Sequence, residues 1–133
     1  YPVRNPGPQT IAVSSLGVYR DYMPANLVDG DPETFFWSNG TPPAGSQVAI
    51  YFLEALQLQE VKVITGLPHA DRDYLQRGVL EVSLDGTSFQ PLCKFENGIA
   101  NATLTHLPSI RAFRIIATKG QDEWLAIRSF TVR

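Results

Sequence analysis

The stretch "GVLEVSLDGTSFQPL", Gly78 to Leu92, sets two runs of branched and aromatic residues on either side of Asp85-Gly86. An Asp-Gly pair between two apolar runs is a strong hairpin signal, because it accepts the positive backbone angles that a tight reversal needs. Similar runs lie on both sides of it. They are "TIAVS" (10 to 14), "QVAIYF" (47 to 52), "EVKVITG" (60 to 66), "VLEVSL" (79 to 84), "FQPLC" (89 to 93), "IANATLT" (99 to 105), "AFRIIAT" (112 to 118) and "LAIRSFTVR" (125 to 133). In "VKVIT" and "FRIIA" apolar and polar residues alternate, as a sheet with one solvated face requires. Helical periodicity is nearly absent outside "MPANLVDG", where Pro24 suits a first turn and Gly30 a stop. About eight short strands at close spacing predict an all-β antiparallel sandwich.

At 133 residues the chain has the size of one domain with one core. "YPVRNPGPQT" carries three prolines and a glycine, so residues 1–8 are expected to be a lead-in and residues 9–133 the folded domain. Net charge is −2 with the basic residues scattered, which argues against nucleic acid as a partner. No apolar run approaches the ~20 residues of a membrane helix, so membrane insertion is not expected. Cys93 is the single cysteine, which excludes an internal disulfide and a thiolate zinc site and reads as a small buried hydrophobe.

Polar chemistry concentrates in "GLPHADRDYLQRG", Gly66 to Gly78, which interrupts the strand pattern. His69 and Arg72 offer donors, Asp71 and Asp73 acceptors, and Tyr74 a ring face. Sugar recognition needs this mixture, since each hydroxyl both donates and accepts while a pyranose face stacks on an aromatic ring. The bland alternative is a solvated loop held by weak Asp-Arg pairs. Tyr22, in "SLGVYRDYMP", and Trp124, in "KGQDEW", could complete a pocket or serve as apolar anchors. In "FFWSNG" three consecutive rings cannot all face one way; Phe35 and Trp37 are expected to pack in the core, with Trp37 also bordering the site. Asp29, Asp31 and Thr34 in "DGDPET" have the oxygen chemistry of a calcium loop, a cation that takes about six to eight oxygens. They fit equally a corner in which Asp29 caps backbone amides and Gly30 supplies a positive φ. Asp71 and Asp73, with His69, are the only candidates for hydrolytic carboxylates, and no nucleophile-elbow, zinc-protease or phosphate-loop motif occurs, so catalysis is not expected.

Three pieces in chain order, "ANLVDGDPETFFWSNG", "GVLEVSLDGTSFQPL" and "RAFRIIATKGQDEWLAIRSFTV", resemble discoidin domains, also called coagulation factor 5/8 type C domains. The missing cysteine pair makes the chain more similar to the bacterial branch, the family 32 carbohydrate-binding modules of glycoside hydrolases. "TFFWSNGTP", "DRDYLQRGVLEVSLDG" and "WLAIRSF" are most similar to modules of β-N-acetylhexosaminidases. The resemblance implies a discoidin-like jelly roll and a non-catalytic module, monomeric as a fragment, that targets an attached glycoside hydrolase to galactose- or N-acetylhexosamine-containing glycans. An extracellular or periplasmic bacterial setting goes with it. It further implies a structural calcium held by the Asp29, Asp31 and Thr34 loop and by a last-strand Glu, whose place Ser129 takes here. The family's binding loop often supplies an Arg, a His and an Asn; this loop has the first two, leaving an Asp or Gln76 for the third role. The competing expectation is a structural sandwich that packs on its parent protein, which would show an apolar patch on a sheet face rather than exposed rings at the loop end. Phospholipid binding is disfavoured because the loops lack apolar spikes with basic neighbours.

Overall fold

The alternating runs become strands whose apolar faces meet. The computed structural model describes residues 10–133, so the lead-in expected over 1–8 lies outside the described residues. Nine strands are seen among them: β1 (Thr10–Ser14), β2 (Phe36–Trp37), β3 (Gln47–Leu56), β4 (Glu60–Thr65), β5 (Gly78–Ser83), β6 (Gln90–Lys94), β7 (Ile99–Thr103), β8 (Ile110–Ala117) and β9 (Ala126–Val132). A short 3-10 helix at Pro24–Leu27 is the one helical element among the described residues, with proline at its start as the sequence predicts. The strands form two antiparallel sheets, β1-β3-β8-β5-β6 and β2-β9-β4-β7.

Strand β4 buries Val61, Val63 and Thr65 and leaves Glu60, Lys62 and Ile64 half-covered, the period-two pattern of a half-solvated sheet. Between the sheets lie Phe36, Phe113 and Phe130 with the aliphatic residues of both layers. Phe113 meets Phe52 and Phe130 edge-on at ring-centroid distances of 6.0 and 5.7 Å, a geometry that aromatic quadrupoles favour.

Two expectations are corrected. The additional strand, β2, is two residues long and exists because Phe36 and Trp37 pair with Ile127 and Ala126 of β9. So short a strand has no periodicity to read. Its register also reverses the core assignment: Phe36 is fully buried, whereas Phe35 and Trp37, pointing the other way, are half-buried.

Candidate functional site

The 66–77 loop is fixed at its base by backbone bonds before it displays any side chain. Gly66 N–H donates to Ala126 O at 2.7 Å, and Leu67 N–H donates to Arg72 O at 3.1 Å, closing the loop's own turn. Buried Thr65 ties the far end down, since its hydroxyl donates to Gly98 O at 2.6 Å and accepts from Leu75 N–H at 2.9 Å. Gly98 sits at φ 78°, and a Cβ there would come within 2.9 Å of both Thr65 Oγ1 and Tyr74 Cβ. Only glycine permits so close an approach at that angle.

The loop overhangs the end of the four-stranded sheet and encloses a cleft of about 500 Å³. His69, Asp71, Arg72 and Tyr74 line it, joined by Asn97 from the β6–β7 turn and Arg128 from β9. Its volume lies in the range of roughly 300–1,000 Å³ usual for small-molecule sites. His69, Asp71, Arg72, Asn97 and Arg128 are exposed, and Tyr74 is half-buried. Arg128 reaches the cleft because Ile64 pairs with Ser129 while Thr65 pairs with Ile127, leaving Arg128 as the bulged residue.

The other four residues expected to contact sugar gather separately. Asp73 is 8% exposed, holds φ 62°, and accepts a hydrogen bond from Trp37 Nε1–H at 2.8 Å. Asp and Asn tolerate this left-handed region better than other non-glycine residues. Trp37 in turn packs against Tyr19, Tyr22 and Trp124 at centroid distances of 5.0, 5.5 and 5.9 Å. These rings are half-buried and belong to one cluster beside the cleft rather than to its lining. The 119–124 segment is bound to the same loop: Gln121 Nε2–H donates to Tyr74 O at 3.0 Å, and Gln76 N–H donates to Gln121 Oε1 at 3.0 Å. Gln76 is therefore held through its backbone and does not line the cleft. Asp71 and Asp73 also part company, one exposed at the cleft and one buried against Trp37, so they do not face a shared substrate as a glycosidase pair must.

Two cleft residues were missing from the sequence reading. Asn97-Gly98 is an Asn-Gly pair with positive φ at both residues, 52° and 78°, a hairpin signal that could have marked it. Arg128 had none, because the bulge that presents it depends on register between two strands far apart in sequence.

At the Asp29 corner, Asp29 Oδ1 accepts from Asp31 N–H at 2.9 Å, Asp31 Oδ1 accepts from Glu33 N–H at 2.9 Å, and Gly30 takes φ 79°. The Thr34 hydroxyl lies 2.6 Å from Asp29 Oδ2 and 3.1 Å from both Asn26 O and Asp31 O. The hydroxyl proton serves one of these acceptors at a time, Asp31 O also accepts from Thr34 N–H at 3.3 Å, and the oxygens are of the hard type that calcium takes. The donor set is low in charge. Among the described residues no three His, Cys, Asp or Glu side chains converge, and Ser129 and Arg128 border this corner on the β9 side.

Comparison with known proteins places this geometry in a family. The family model described as "F5/8 type C domain" matches residues 9–130. Among curated proteins, the chain is similar to the mouse (Mus musculus) alpha-1,3-mannosyl-glycoprotein 4-beta-N-acetylglucosaminyltransferase C, 28% identical over 131 residues. That alignment covers 90% of this chain and 27% of the transferase, so the chain spans about a quarter of that relative's length. Among solved structures, it is similar to the family 32 CBM of Clostridium perfringens NanJ in complex with galactose (TM-score 0.75, 13% identity, 98% of this chain and 97% of that one). It is also similar to a CBM32 module from Clostridium perfringens in complex with GalNAc-beta-1,3-galactose (TM-score 0.76, 13% identity, 97% and 98% covered). At these identities the likeness establishes the shared sandwich.

Proposed function

Because the chain belongs to the F5/8 type C domain family, we propose that it is a non-catalytic carbohydrate-binding module of a larger glycan-acting enzyme. The observation that carries this reading is the cleft under the 66–77 loop, lined by a histidine, an aspartate, two arginines and an asparagine together with half-buried Tyr74. Such a module raises the effective concentration of its enzyme at a glycan surface, and a single site binds weakly because a small polar ligand buries little area. Two structural neighbours named above carry galactose or GalNAc-beta-1,3-galactose, which supports galactose- and N-acetylhexosamine-containing glycans as ligands. The curated relative named above is a glycosyltransferase, so the enzyme it serves is a glycan-processing one of either kind, a hydrolase or a transferase. The relative is a mammalian protein and the neighbours are bacterial, and both fit a compartment in which glycans are displayed or processed.

Titration of the isotope-labelled chain with galactose, N-acetylgalactosamine and N-acetylglucosamine, followed by NMR, tests the proposal. Shifts at His69, Asp71, Arg72 and Asn97 are expected. Shifts confined to the Trp37 and Trp124 indoles move the site to the aromatic cluster, and no shift with any sugar overturns the function.

One observation favours the competing reading, a surface that packs on the parent protein. Ile11 and Val13 of β1 pair with Tyr51 and Ala49 of β3 on the outer face of the five-stranded sheet. Ile11 and Val13 are 61% and 46% exposed, and Leu53, further along β3, is 61% exposed. This face suits contact with the rest of the enzyme and leaves the cleft, on the other sheet, free.

For the Asp29 corner we propose a weak calcium site formed by Asn26 O, Asp29 Oδ2, Asp31 O and Thr34 Oγ1, with solvent supplying the remaining ligands. Bound calcium would stiffen this corner and add no chemistry at the cleft.

A further inference from the structure

We propose that the cleft selects sugars bearing an acid group, a carboxylate or a sulfate, held between Arg72 and Arg128. The inference rests on the reading that this cleft binds carbohydrate, and it goes beyond it by naming the charge of the ligand.

The chain carries a net charge of −2, yet two arginines and a single carboxylate, Asp71, line the same cleft. A cleft of about 500 Å³ is small enough for one ligand to reach both residues. Four other arginines have partners, whereas among the described residues the exposed side chain of Arg77 has none. Arg114 is paired with Glu81 at 2.6 Å, Arg133 with Glu60 at 3.5 Å, Arg111 donates to Leu53 O at 3.1 Å, and Arg20 lies over the Tyr19 ring at 5.0 Å. Among the described residues neither Arg72 nor Arg128 takes part in an ion pair. The side chain of Arg128 makes one hydrogen bond, Nη1–H to Leu67 O, stretched to 3.5 Å, which leaves most of its N–H donors unspent.

A neutral sugar presents hydroxyls that donate as often as they accept, and it would leave this donor surplus unmatched. A carboxylate or sulfate only accepts, and its planar or forked oxygens fit a guanidinium two at a time. His69, Asn97 and Asp71 then remain for the hydroxyls, and Tyr74 for a ring face.

The test is calorimetric and NMR titration with D-glucuronic acid, N-acetylneuraminic acid and a sulfated galactose, beside glucose, N-acetylgalactosamine, galactose and inorganic sulfate, all at one ionic strength. Acidic sugars are expected to bind about tenfold more tightly than neutral ones, from one or two charged hydrogen bonds gained. The preference should fall as salt rises. Arg72→Gln and Arg128→Gln should each reduce it severalfold, while Arg111→Gln, on the opposite sheet, should not; Arg72 is exposed, so its variant keeps the fold even if the Arg128 variant does not. Whichever acidic sugar binds best identifies the acid. Equal binding of acidic and neutral sugars overturns the inference and leaves the carbohydrate reading standing. Equal binding of inorganic sulfate and acidic sugars shows an anion site without sugar recognition and overturns it too. No binding by any sugar overturns both.

Discussion

Asp73 joins the polar loop to the aromatic cluster, and replacing it should unfasten them. Its side chain accepts a charge-assisted bond from Trp37 Nε1–H at 2.8 Å, its amide donates to Glu123 Oε1 at 3.2 Å, and its carbonyl accepts from Ala126 N–H at 2.7 Å. Asp73→Ala removes only the first of these, a loss of about 1.5–3 kcal/mol for a hydrogen bond to a charged group. Alanine at φ 62° adds about 1 kcal/mol of backbone strain that aspartate largely escapes. The sum is about 3 kcal/mol, since half-buried Trp37 recovers part of its bond from water. With about 2.1 cal/mol/K of unfolding entropy per residue over 133 residues, 3 kcal/mol lowers the Tm by about 11 °C. Asp73→Gly loses the same bond without the strain and should lie about 1 kcal/mol above the alanine variant, and Asp73→Asn, which keeps both angle and acceptor, should lose only about 1 kcal/mol. Urea unfolding of the three variants measures this order, and the Trp37 indole proton should shift in all of them. In a Trp37→Phe background the penalty of Asp73→Asn should change by at least about 1 kcal/mol, the mark of direct coupling. Three variants within about 0.5 kcal/mol of wild type, or alanine and glycine variants of equal stability, would refute the role assigned to this residue.

Gly98→Ala should cost about 2–4 kcal/mol by urea unfolding and shift the Tyr74 ring signals, because the new methyl meets Thr65 Oγ1 and Tyr74 Cβ at 2.9 Å from a strained backbone. Asp85 accepts from the amides of Ser88 and Thr87 and from the Ser83 hydroxyl, which hold its carboxyl below the ordinary value of 3.8. The folded state therefore binds this proton less readily than the unfolded chain. The stability it contributes is present above about pH 3.8 and is lost as pH falls through the lower folded value; a carboxyl titration midpoint at or above 3.8 would contradict it. Burial pushes the Cys93 thiol above its ordinary 9.0, partly offset by a bond from the Asn101 backbone, so alkylation should be slower in the native state than in denaturant. Since the folded state holds that proton more tightly, stability should decline as pH rises past about 9.0, and Cys93→Ser should abolish this alkaline limb. Calcium at tenfold excess over a weak dissociation constant should stabilise the chain by about 1.4 kcal/mol, near 5 °C in Tm. EDTA should reverse the gain and Asp29→Asn should reduce it; an unchanged Tm shows a corner held by hydrogen bonds alone.

Strand positions were legible in the sequence because burial on one face of a sheet writes itself as alternation. β1 and the start of β3 fall where "TIAVS" and "QVAIYF" place them, and Asp85-Gly86 lies in the β5–β6 connection. β2 was not legible, since two residues carry no period and its existence depends on pairing with β9. The assignment of core among Phe35, Phe36 and Trp37 turned on that same register. Local chemistry singled out consecutive rings, but only the sheet could say which one faced inward.

For the site the division is sharper. Loop composition identified His69, Asp71, Arg72 and Tyr74, which the fold brings to one cleft, because a polar cluster between two strands is a local property. The same composition could not separate Asp71 from Asp73, two residues away and identical in kind. What separates them is φ 62° at Asp73 and an indole 36 positions earlier in the chain, both consequences of the folded loop. Asn97 and Arg128 complete the cleft from elements 25 and 56 residues beyond Arg72. The charge of the cleft is therefore invisible in the loop itself. Read alone, "HADRD" balances one arginine against two aspartates and suggests an acidic site. Folding removes Asp73 into a bond with Trp37 and adds Arg128 through a bulge, so the balance reverses sign. A preference for acidic over neutral sugars is the measurement that separates these two accounts, because only the folded arrangement produces it.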